Sequence, residues 1–436
     1  MTATFPPPLS VSPRADLPRG VADALAAVDA GALVQLVQEL VALPTVTGSA
    51  AESEGQHALE RRLRAAGMDT DLWSIDLAAT LADPDFPGLE APRTQAWGLV
   101  GSWGGTGDGP VVVLNGHLDV VPAGAADLWT VGPWEGTVRG GRVFGRGACD
   151  MKGGLACQVL AVQALRQAGV RLRGRVQLQS VVGEEDGGLG TFATLRRGHR
   201  GDLAVICEPT AGGLVTASAG ALTFRLTVPG RSVHASMRLE GVDAVEKYLL
   251  VHSALRRLEA ARNREAHPLM AGYLLPYPLS VGTVRAGDWP SSVPDVLVAE
   301  GRLGVALDEP VEQARVALET AVAQVCAEDP WLSAHPVGVE WFGGQFASSS
   351  APPGSAVERL VSDAHAHLQG ERPVVHGVPY GSDQRLLSGL GGIPTVLYGP
   401  GDIRQAHGPD ESVPVDELVR VTQALVLVVA GGCGVE

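Results

Sequence analysis

The 436-residue sequence predicts an α/β fold in which one domain is inserted into another. Strands alternate with helices up to about residue 214, the order then becomes β-α-β-β-α-β, and α/β alternation resumes near residue 345. A hydrophobic core stops growing at roughly 250–300 residues, so a chain of this length is expected to divide. We predict a larger domain over 1–214 and 345–436 and an inserted domain over 215–344.

The larger domain begins with two segments of helical periodicity, Ala22–Leu43 and Glu52–Ala66. Pro44 and Gly67 end them, as both residue types commonly do. The apolar run 111–114 is typical of a strand covered on both faces. Further elements are predicted as helices at 155–168, 355–368 and 415–430 and as strands at 176–182, 203–207 and 394–398. This alternation predicts a sheet with helices on both faces.

The inserted segment opens with a strand at 222–228, where apolar and polar residues alternate with a period of two. A long amphipathic helix follows, with apolar residues from Ala244 to Leu258 spaced by three and four. The remaining elements are predicted as strands at 279–286, 294–306 and 337–342 and a helix at 311–327. This order predicts a ferredoxin-like layer of one sheet and two helices.

Composition excludes several classes of protein. Hydrophobic residues make up 45% of the chain and charged residues 19%, which is unlike a disordered protein. The formal net charge of −15 argues against nucleic acid or an anionic membrane as a partner. Five cysteines without a CxxC pair indicate a reducing compartment, and we predict a cytoplasmic protein.

The N-terminus shows no basic region followed by an apolar stretch, so no secretory signal is predicted. The sequence also lacks a run of about 18 apolar residues, so no transmembrane helix is expected. The first 15 or so residues are rich in proline and are predicted to be extended or mobile.

His117 and Asp119 follow the buried strand 111–114, where α/β sheets place ligand-binding loops. A metal-binding imidazole needs its other ring nitrogen fixed by an acceptor, and Asp119 is two residues away. A metal site is one interpretation of this pair. A polar loop at the end of a strand is the other.

Two further segments carry carboxylates in unusual surroundings. Glycines flank Asp150 in GRGACDMKGG (145–154), and they let the backbone turn sharply and expose a carboxylate that can bridge two cations. A helix-capping aspartate is the alternative. The acids Glu184, Glu185 and Asp186 follow a predicted strand, and they repel one another unless a cation lies among them. A solvated acidic loop is the alternative there.

Glu208 and His407 also follow predicted apolar strands. Loops at strand ends and before a helix thus present five groups with ligand chemistry, namely His117, Asp150, Glu185, Glu208 and His407. Mixed imidazole and carboxylate ligands suit Zn²⁺ and also Co²⁺ or Mn²⁺. The sequence therefore predicts a divalent metal site.

These motifs resemble those of the M20 metallopeptidases, the group of acetylornithine deacetylase, succinyl-diaminopimelate desuccinylase, aminoacylase and glutamate carboxypeptidase. The matching stretches occur in family order and are GHLDVVP (116–122), GRGACDMKGG (145–154), GEEDGG (183–188), EPT (208–210), GRSVHAS (230–236) and AHGPDE (406–411). The resemblance implies a zinc-exopeptidase-like catalytic domain with a central mixed sheet. It also implies that the inserted ferredoxin-like domain serves as a dimerisation or lid domain.

The resemblance implies two divalent metal ions, with zinc as the first expectation and cobalt or manganese as alternatives. His117 and Glu208 would hold one ion, Glu185 and His407 would hold the other, and Asp150 would bridge them.

The resemblance also implies roles in catalysis. Glu184 would be the general acid/base and Asp119 would orient His117. His234, in the inserted domain, would donate a hydrogen bond to the developing oxyanion and could reach the partner subunit's site. A surface histidine at a strand end is the alternative for His234. We expect a homodimer through the inserted domain, on the basis of His234 and an exposed strand at 222–228.

Four residues are predicted to contact the substrate. Arg302, placed after a strand over 296–300, and Arg385 could clamp a carboxylate, since arginine binds carboxylates with two hydrogen bonds. Surface ion pairing is the alternative for both. Ser382 lies in a Gly-Ser-Asp segment that resembles the family's substrate-carboxylate loop. Ser292 stands where many relatives have asparagine, which leaves the identity of the substrate open.

The sequence thus predicts a metal-dependent amidohydrolase that removes an acyl group from a small N-acyl amino acid or related carboxylate-bearing substrate. A dipeptidase or carboxypeptidase of the same family is the alternative with the same chemistry. A catalytically silent ligand-binding relative and an unrelated α/β protein with coincidental motifs are the other two alternatives.

Overall fold

The computed structural model describes residues 17–105 and 109–436. They form two compact units. The first comprises the chain up to Thr216, Ser350–His376 and Asp383–Glu436, and the second comprises Ala217–Ser349 and Gly377–Ser382. The predicted extended segment at the N-terminus lies outside the described residues.

Within the described residues the α-helices are α1 (Arg19–Ala26), α2 (Ala30–Val41), α3 (Ala50–Ala65), α4 (Leu77–Leu81), α5 (Gly153–Gln167), α6 (Leu189–Arg196), α7 (Ala244–Arg262), α8 (Val311–Glu328), α9 (Pro330–Ala334), α10 (Ala356–Gln369) and α11 (Val415–Cys433). A π-helical turn, Ala148–Lys152, directly precedes α5.

The strands are β1 (Asp69–Ser74), β2 (Trp97–Gly104), β3 (Val111–His117), β4 (Thr137–Arg139), β5 (Arg142–Phe144), β6 (Arg175–Val181), β7 (Leu203–Pro209), β8 (Leu214–Ser218), β9 (Gly220–Pro229), β10 (Leu279–Ala286), β11 (Val296–Val305), β12 (Gly338–Phe346), β13 (Ser349–Ser350), β14 (Val375–Val378), β15 (Thr395–Gly399) and β16 (Ser412–Pro414).

The largest sheet has the strand order β1-β2-β6-β3-β7-β15-β8-β13, and β14 pairs with β8. Its middle strands β6, β3, β7 and β15 run parallel, whereas β1, β2 and β8 pair in antiparallel fashion. Every residue of β7 is buried, as is typical of a strand covered on both faces. The predicted α/β fold with a central mixed sheet is confirmed.

The parallel arrangement decides where the polar loops meet. The carboxyl ends of β6, β3, β7 and β15 lie at one edge of the sheet, because these neighbouring strands point the same way. Ligand-binding loops of α/β sheets lie at this edge.

The second unit contains a four-stranded sheet of order β10-β11-β9-β12. Its apolar face, including Phe224 and Leu226, packs with α7 and α8 side chains such as Val251 and Leu318 in one core cluster. The predicted ferredoxin-like layer is confirmed. Strand β9 pairs with β11 on one side and β12 on the other, so it is a central strand of this sheet. Its polar face is partly exposed, at Arg225 and Thr227. Strands β10 and β12 form the edges.

The prediction of a single helix over Ala22–Leu43 is wrong, because the chain forms α1 and α2 with a break between them. Asp29 lies at the break, and its side chain accepts a hydrogen bond from the Gly31 main-chain nitrogen at 2.7 Å. Aspartate caps helix N-termini in this way, so the second helix begins anew.

Among the residues that the structure describes, no single helix has the length and apolar character needed to cross a membrane. Helices α1 and α2 meet that test only when taken together, and they are bent by 62° at their break.

Candidate metal centre

His117 is the last residue of β3, and its side chain is buried. Its Nδ1 lies 2.8 Å from the main-chain oxygen of Asp119. A carbonyl oxygen only accepts, so Nδ1 carries the proton and Nε2 is the nitrogen that can bind a metal. Nε2 lies 3.1 Å from Oδ1 of Asp150 and 3.7 Å from Oε1 of Glu208, which is in β7.

Asp150 contacts a second imidazole through its other oxygen. Its Oδ2 lies 3.4 Å from Nε2 of His407, and that same nitrogen is 3.2 Å from Oε1 of Glu185. Asp150 lies in the π-helical turn before α5, and the peptide bond that joins it to Met151 is cis. The carboxylate of Asp150 therefore lies between the two histidines.

The acidic loop after β6 approaches the same place. Ligand atoms of His117, Glu184 and Glu208 lie within 4.8 Å of one another, and so do those of His117, Asp150 and Glu185. The structure thus brings the five predicted ligands and the predicted acid/base together. His407 is the most exposed of them, with 51% of its side chain accessible, whereas the others are nearly or fully buried.

Asp119 links the β3 loop to the acidic loop. Its carboxylate accepts from the main-chain nitrogens of Glu184 and Glu185, each at 3.3 Å, and from Oγ1 of Thr47 at 3.0 Å. The closer contact to His117 is made by the main-chain oxygen, and the carboxylate oxygen lies 3.8 Å from the ring.

The electrostatics of the cluster reflect several acids that share one buried space. Burial raises the pKa of the Glu184 carboxyl well above its ordinary value, and Asp383 adds to this. Burial and Asp150 likewise raise the pKa of Glu185 and of Glu208.

The histidines respond in the opposite sense. Hydrogen bonds to Asp150 and Glu185 raise the pKa of His407 to about 11. Burial opposes protonation of His117, but its hydrogen bond to Asp150 and the nearby Glu208 raise its pKa well above the ordinary value. Positive charge is therefore strongly favoured at the centre of this cluster.

A divalent cation fits this donor set. The described residues offer two imidazole nitrogens and several carboxylates at short mutual distances, which is the ligand chemistry of zinc, cobalt and manganese sites. Buried acids repel one another unless a cation lies among them. A metal ion bound among these carboxylates would offset that repulsion.

Sequence analysis missed the residues that hold the acidic loop. The guanidinium of Arg93 is 1% exposed and makes paired hydrogen bonds to Asp186 at 2.8 and 3.0 Å and to Glu52 at 3.1 Å. Asp186 also accepts from the main-chain nitrogens of Glu90 and Ala91. Nothing local marks Arg93 as a partner, since it lies 93 residues from Asp186 in sequence.

Arg385 has a similar internal position in the first unit. It is 6% exposed, donates from Nη2 to the main-chain oxygen of Gly187 at 2.7 Å, and lies 3.6 Å from Asp383. These contacts tie it to the acidic loop. Its burial is unlike a surface ion pair, and its role as a substrate-carboxylate clamp stays a prediction.

The remaining predicted residues belong to the second unit. His234 is exposed, and its segment forms an isolated β-bridge with Ser292. Ser382 is buried, and its Oγ lies 3.2 Å from Oγ of Ser218. Arg302 lies inside β11 and not after a strand ending at 300, because the strand continues to Val305. Its Cζ is 5.7 Å from the centroid of the Phe346 ring.

Comparison with known proteins gives full-length relatives. The chain is 28% identical over 428 residues to an N-formyl-4-amino-5-aminomethyl-2-methylpyrimidine deformylase of Halalkalibacterium halodurans, covering 92% of this chain and 94% of that protein. The deformylase of the same name from Bacillus subtilis is 27% identical at the same coverage. A probable succinyl-diaminopimelate desuccinylase of Staphylococcus epidermidis is 38% identical over 139 residues, which are 31% of this chain and 34% of that protein.

Solved structures share the fold. Human carnosine dipeptidase 1 matches with a TM-score of 0.75 at 15% identity, covering 96% of this chain and all of that chain (100%). A tripeptidase of Staphylococcus aureus matches with a TM-score of 0.70 at 21% identity, covering 92% of this chain and 98% of that chain.

The model of peptidase family M20/M25/M40 matches residues 113–430, a range that begins within β3 and ends within α11. This range includes all the predicted metal ligands. The chain therefore belongs to peptidase family M20/M25/M40 and is a hydrolase of amide bonds.

Proposed function

We propose that the chain removes a small acyl group from the nitrogen of a small molecule, with a metal centre at the carboxyl edge of its central sheet. The observation that carries this proposal is the convergence of two histidines and four carboxylates from loops far apart in the chain. The acyl group is favoured over a peptide because the relatives that match over 92% of the chain are deformylases.

The proposed centre holds two divalent ions, with zinc as the expected metal and cobalt or manganese as alternatives. His117 and Glu208 would hold one ion, Glu185 and His407 the other, and Asp150 would bridge them. The distances of 3.1 and 3.4 Å from Asp150 oxygens to the two imidazoles support this bridging position. Bound there, such ions supply Lewis acidity that lowers the pKa of a nearby water and polarises the acyl carbonyl.

Glu184 is the proposed general acid/base. Its carboxyl is 8% exposed, lies beside His117 and Glu208, and has a raised pKa because of burial and Asp383. A carboxylate with a raised pKa accepts the proton of the attacking water and returns it to the leaving nitrogen. The amide C–N bond breaks, and the products are a carboxylate and an amine.

His234 is the proposed hydrogen-bond donor to the developing oxyanion. The main-chain N–H of Ser236 donates to its Nδ1 at 3.2 Å, so Nδ1 is an acceptor and the proton lies on Nε2. An exposed Nε2–H is the group that this role requires.

We propose a homodimer through the inserted domain, whose limits we place at 215–344. Strand β10 is an edge of its sheet, and α7 packs against it. Val284 on β10 is 50% exposed, and Val245 and Leu249 on α7 are 38% and 57% exposed. An edge strand beside exposed apolar side chains is a surface that a second copy can cover.

The proposed setting is the cytoplasm, with a small N-acyl substrate and neither nucleic acid nor membrane as partner. All five cysteines are free and buried, which supports a reducing compartment. The net charge of −15 supports the exclusion of anionic polymers.

A substrate panel tests the proposed activity. Purified enzyme loaded with zinc, cobalt or manganese is given N-formyl-4-amino-5-aminomethyl-2-methylpyrimidine, N-formyl, N-acetyl and N-succinyl amino acids, and dipeptides. We expect release of a small carboxylate from an N-acyl substrate. Faster turnover of the dipeptides would support the peptidase alternative, and tight binding without turnover would support the silent relative.

The panel also tests whether a substrate carboxylate is needed. Arg385 is the proposed clamp for a substrate carboxylate, and it also contacts Gly187 and Asp383. The formyl aminomethylpyrimidine has no carboxylate, whereas the N-acyl amino acids do. The ratio of kcat/KM for the formyl aminomethylpyrimidine to kcat/KM for the N-acyl amino acids therefore decides whether a substrate carboxylate is needed.

A further inference from the structure

A buried ion pair joins the segments that carry two of the proposed metal ligands. Nη1 of Arg146 lies 2.6 Å from Oε2 of Glu411, and the two side chains are 2% and 1% exposed. They are 265 residues apart in sequence. Arg146 follows β5, Glu411 directly precedes β16, and these two strands pair, so the backbone fixes both partners.

The second oxygen of Glu411 reaches the segment of the proposed bridging residue. Its Oε1 accepts hydrogen bonds from the main-chain nitrogens of Cys149 and Asp150, each at 3.0 Å. A charged acceptor that holds two successive N–H groups restrains the backbone strongly. Glu411 therefore fixes the main chain from which the Asp150 carboxylate projects.

The second terminal nitrogen of Arg146 reaches the other segment. Its Nη2 donates to the main-chain oxygen of His407 at 3.2 Å, and the guanidinium also lies over the Trp129 ring, 5.3 Å from its centroid. His407 has φ of 61°, a left-handed conformation that residues with a Cβ rarely adopt. Such a conformation persists where surrounding contacts hold it, and Arg146 provides one of them.

We propose that Arg146 and Glu411 are positioning residues that set the distance between Asp150 and His407, and hence the affinity of the metal site formed by Glu185 and His407. This inference rests on the ligand assignment in the proposed function. The site formed by His117 and Glu208 shares Asp150, but its other two ligands lie on β3 and β7, so the ion pair acts on it less than on the site that contains His407.

Stepwise metal binding tests this inference in the full chain. The protein is stripped with a chelator and titrated with Co²⁺, by calorimetry and visible absorption. The variants are Glu411→Gln, which removes the charge, and Arg146→Lys, which removes the fork that reaches His407. Glu417→Gln is the matched control, because Glu417 accepts the Gly401 main-chain N–H at 2.7 Å without contacting the segment of Asp150.

We expect the wild type and the control to bind two ions, and each of the two variants to bind one of them about 10–100-fold more weakly. The affinity of the other ion should fall clearly less, and the cobalt absorption of the weakened site should change in intensity. Circular dichroism checks that each variant is folded, and two independent variants keep the test informative if one is not.

The outcomes separate the inference from the proposed function. Two unchanged binding steps in a folded variant would overturn the positioning role, and so would an equal weakening of both steps. A wild-type chain that binds no stoichiometric metal would overturn the proposed function itself.

Discussion

Asp119 makes several contacts at the proposed centre, through both its main chain and its side chain. Asp119 presents its main-chain oxygen to His117 and its carboxylate to the main chain of Glu184 and Glu185. One residue thus fixes a ring tautomer and the position of an acidic loop. Glu184 is held at this loop in a buried position, which is the setting in which a carboxyl can hold and release a proton near neutral pH.

Replacing Glu184 by alanine is expected to lower kcat by about 10²–10⁴-fold, the scale of general acid–base catalysis. Metal content should stay close to that of the wild type, because Glu184 is not among the proposed ligands. Steady-state kinetics on the best substrate and elemental analysis of the purified variant measure both. Glu54→Gln, at an exposed position on α3, is the control. Near-normal turnover in Glu184→Ala would remove this residue from the mechanism.

At the scale of elements, the acidic loop after β6 is held from two directions. Arg93 binds Asp186 in the loop and Glu52 on α3, while Arg385 donates to the main-chain oxygen of the adjacent Gly187. Arg93 lies before β2 and Arg385 lies between β14 and β15, so the two contacts come from different segments of the chain. Buried arginines from distant segments therefore help to anchor the loop that carries Glu184 and Glu185.

Replacing Arg93 by methionine is expected to destabilise the first unit by about 3–5 kcal/mol, because two buried carboxylates lose their partner. Urea unfolding followed by tryptophan fluorescence measures the change. Arg420→Met is the control, since Arg420 and Asp416 form a pair at the surface, 42% and 68% exposed, where such pairs contribute roughly 0–1 kcal/mol. Equal effects of the two substitutions would contradict the buried network.

Two features belong to the molecule as a whole, namely its dependence on metal and its assembly. The groups at the proposed centre come from several separate loops, and the contact between His407 and Glu185 joins residues 222 positions apart in sequence. Cations that neutralise this cluster would stabilise segments throughout the first unit. The exposed edge of the second unit is the surface that we propose for assembly.

Removal of metal is expected to lower the thermal unfolding midpoint, since Glu185 and Glu208 would then share a buried space without a cation. A ligand present at about 1,000 times its Kd stabilises the folded state by about 4 kcal/mol. Differential scanning calorimetry of the chelated protein, before and after zinc is restored, measures the shift. An unchanged midpoint would mean that no ion binds the folded chain tightly.

Charged substitutions on the edge surface are expected to convert the proposed dimer to monomers. In the double variant Leu249→Glu and Val284→Glu, both partners present negative charge to each other, and the dimer Kd should rise at least about tenfold, or ~1.4 kcal/mol. Sedimentation velocity over a range of concentrations measures this. Val316→Glu on α8 is the control, because Val316 is as exposed as Leu249, at 57%. A wild-type chain that is monomeric at all concentrations would refute the dimer.

The sequence allowed the strand-end groups to be predicted because each follows a short apolar run of the kind that buried strands show. His117, Glu208 and His407 were found in this way, and β3, β7 and β15 are buried strands in the structure. Short strands such as β4, β5 and β16 were missed, because three residues carry too little periodicity to detect. That small sheet is the one that positions Glu411 beside Arg146.

The sequence by itself determined the fold class, the family resemblance and the chemical types gathered at the proposed centre. These depend on local periodicity and on motifs of a few residues, which a linear reading can detect. Only the tertiary structure decided which partner each buried arginine contacts. Arg146 with Glu411, Arg93 with Asp186, and Arg385 with Gly187 all join positions distant in sequence. Pairing over such distances depends on strand order and burial, and a sequence pattern contains neither.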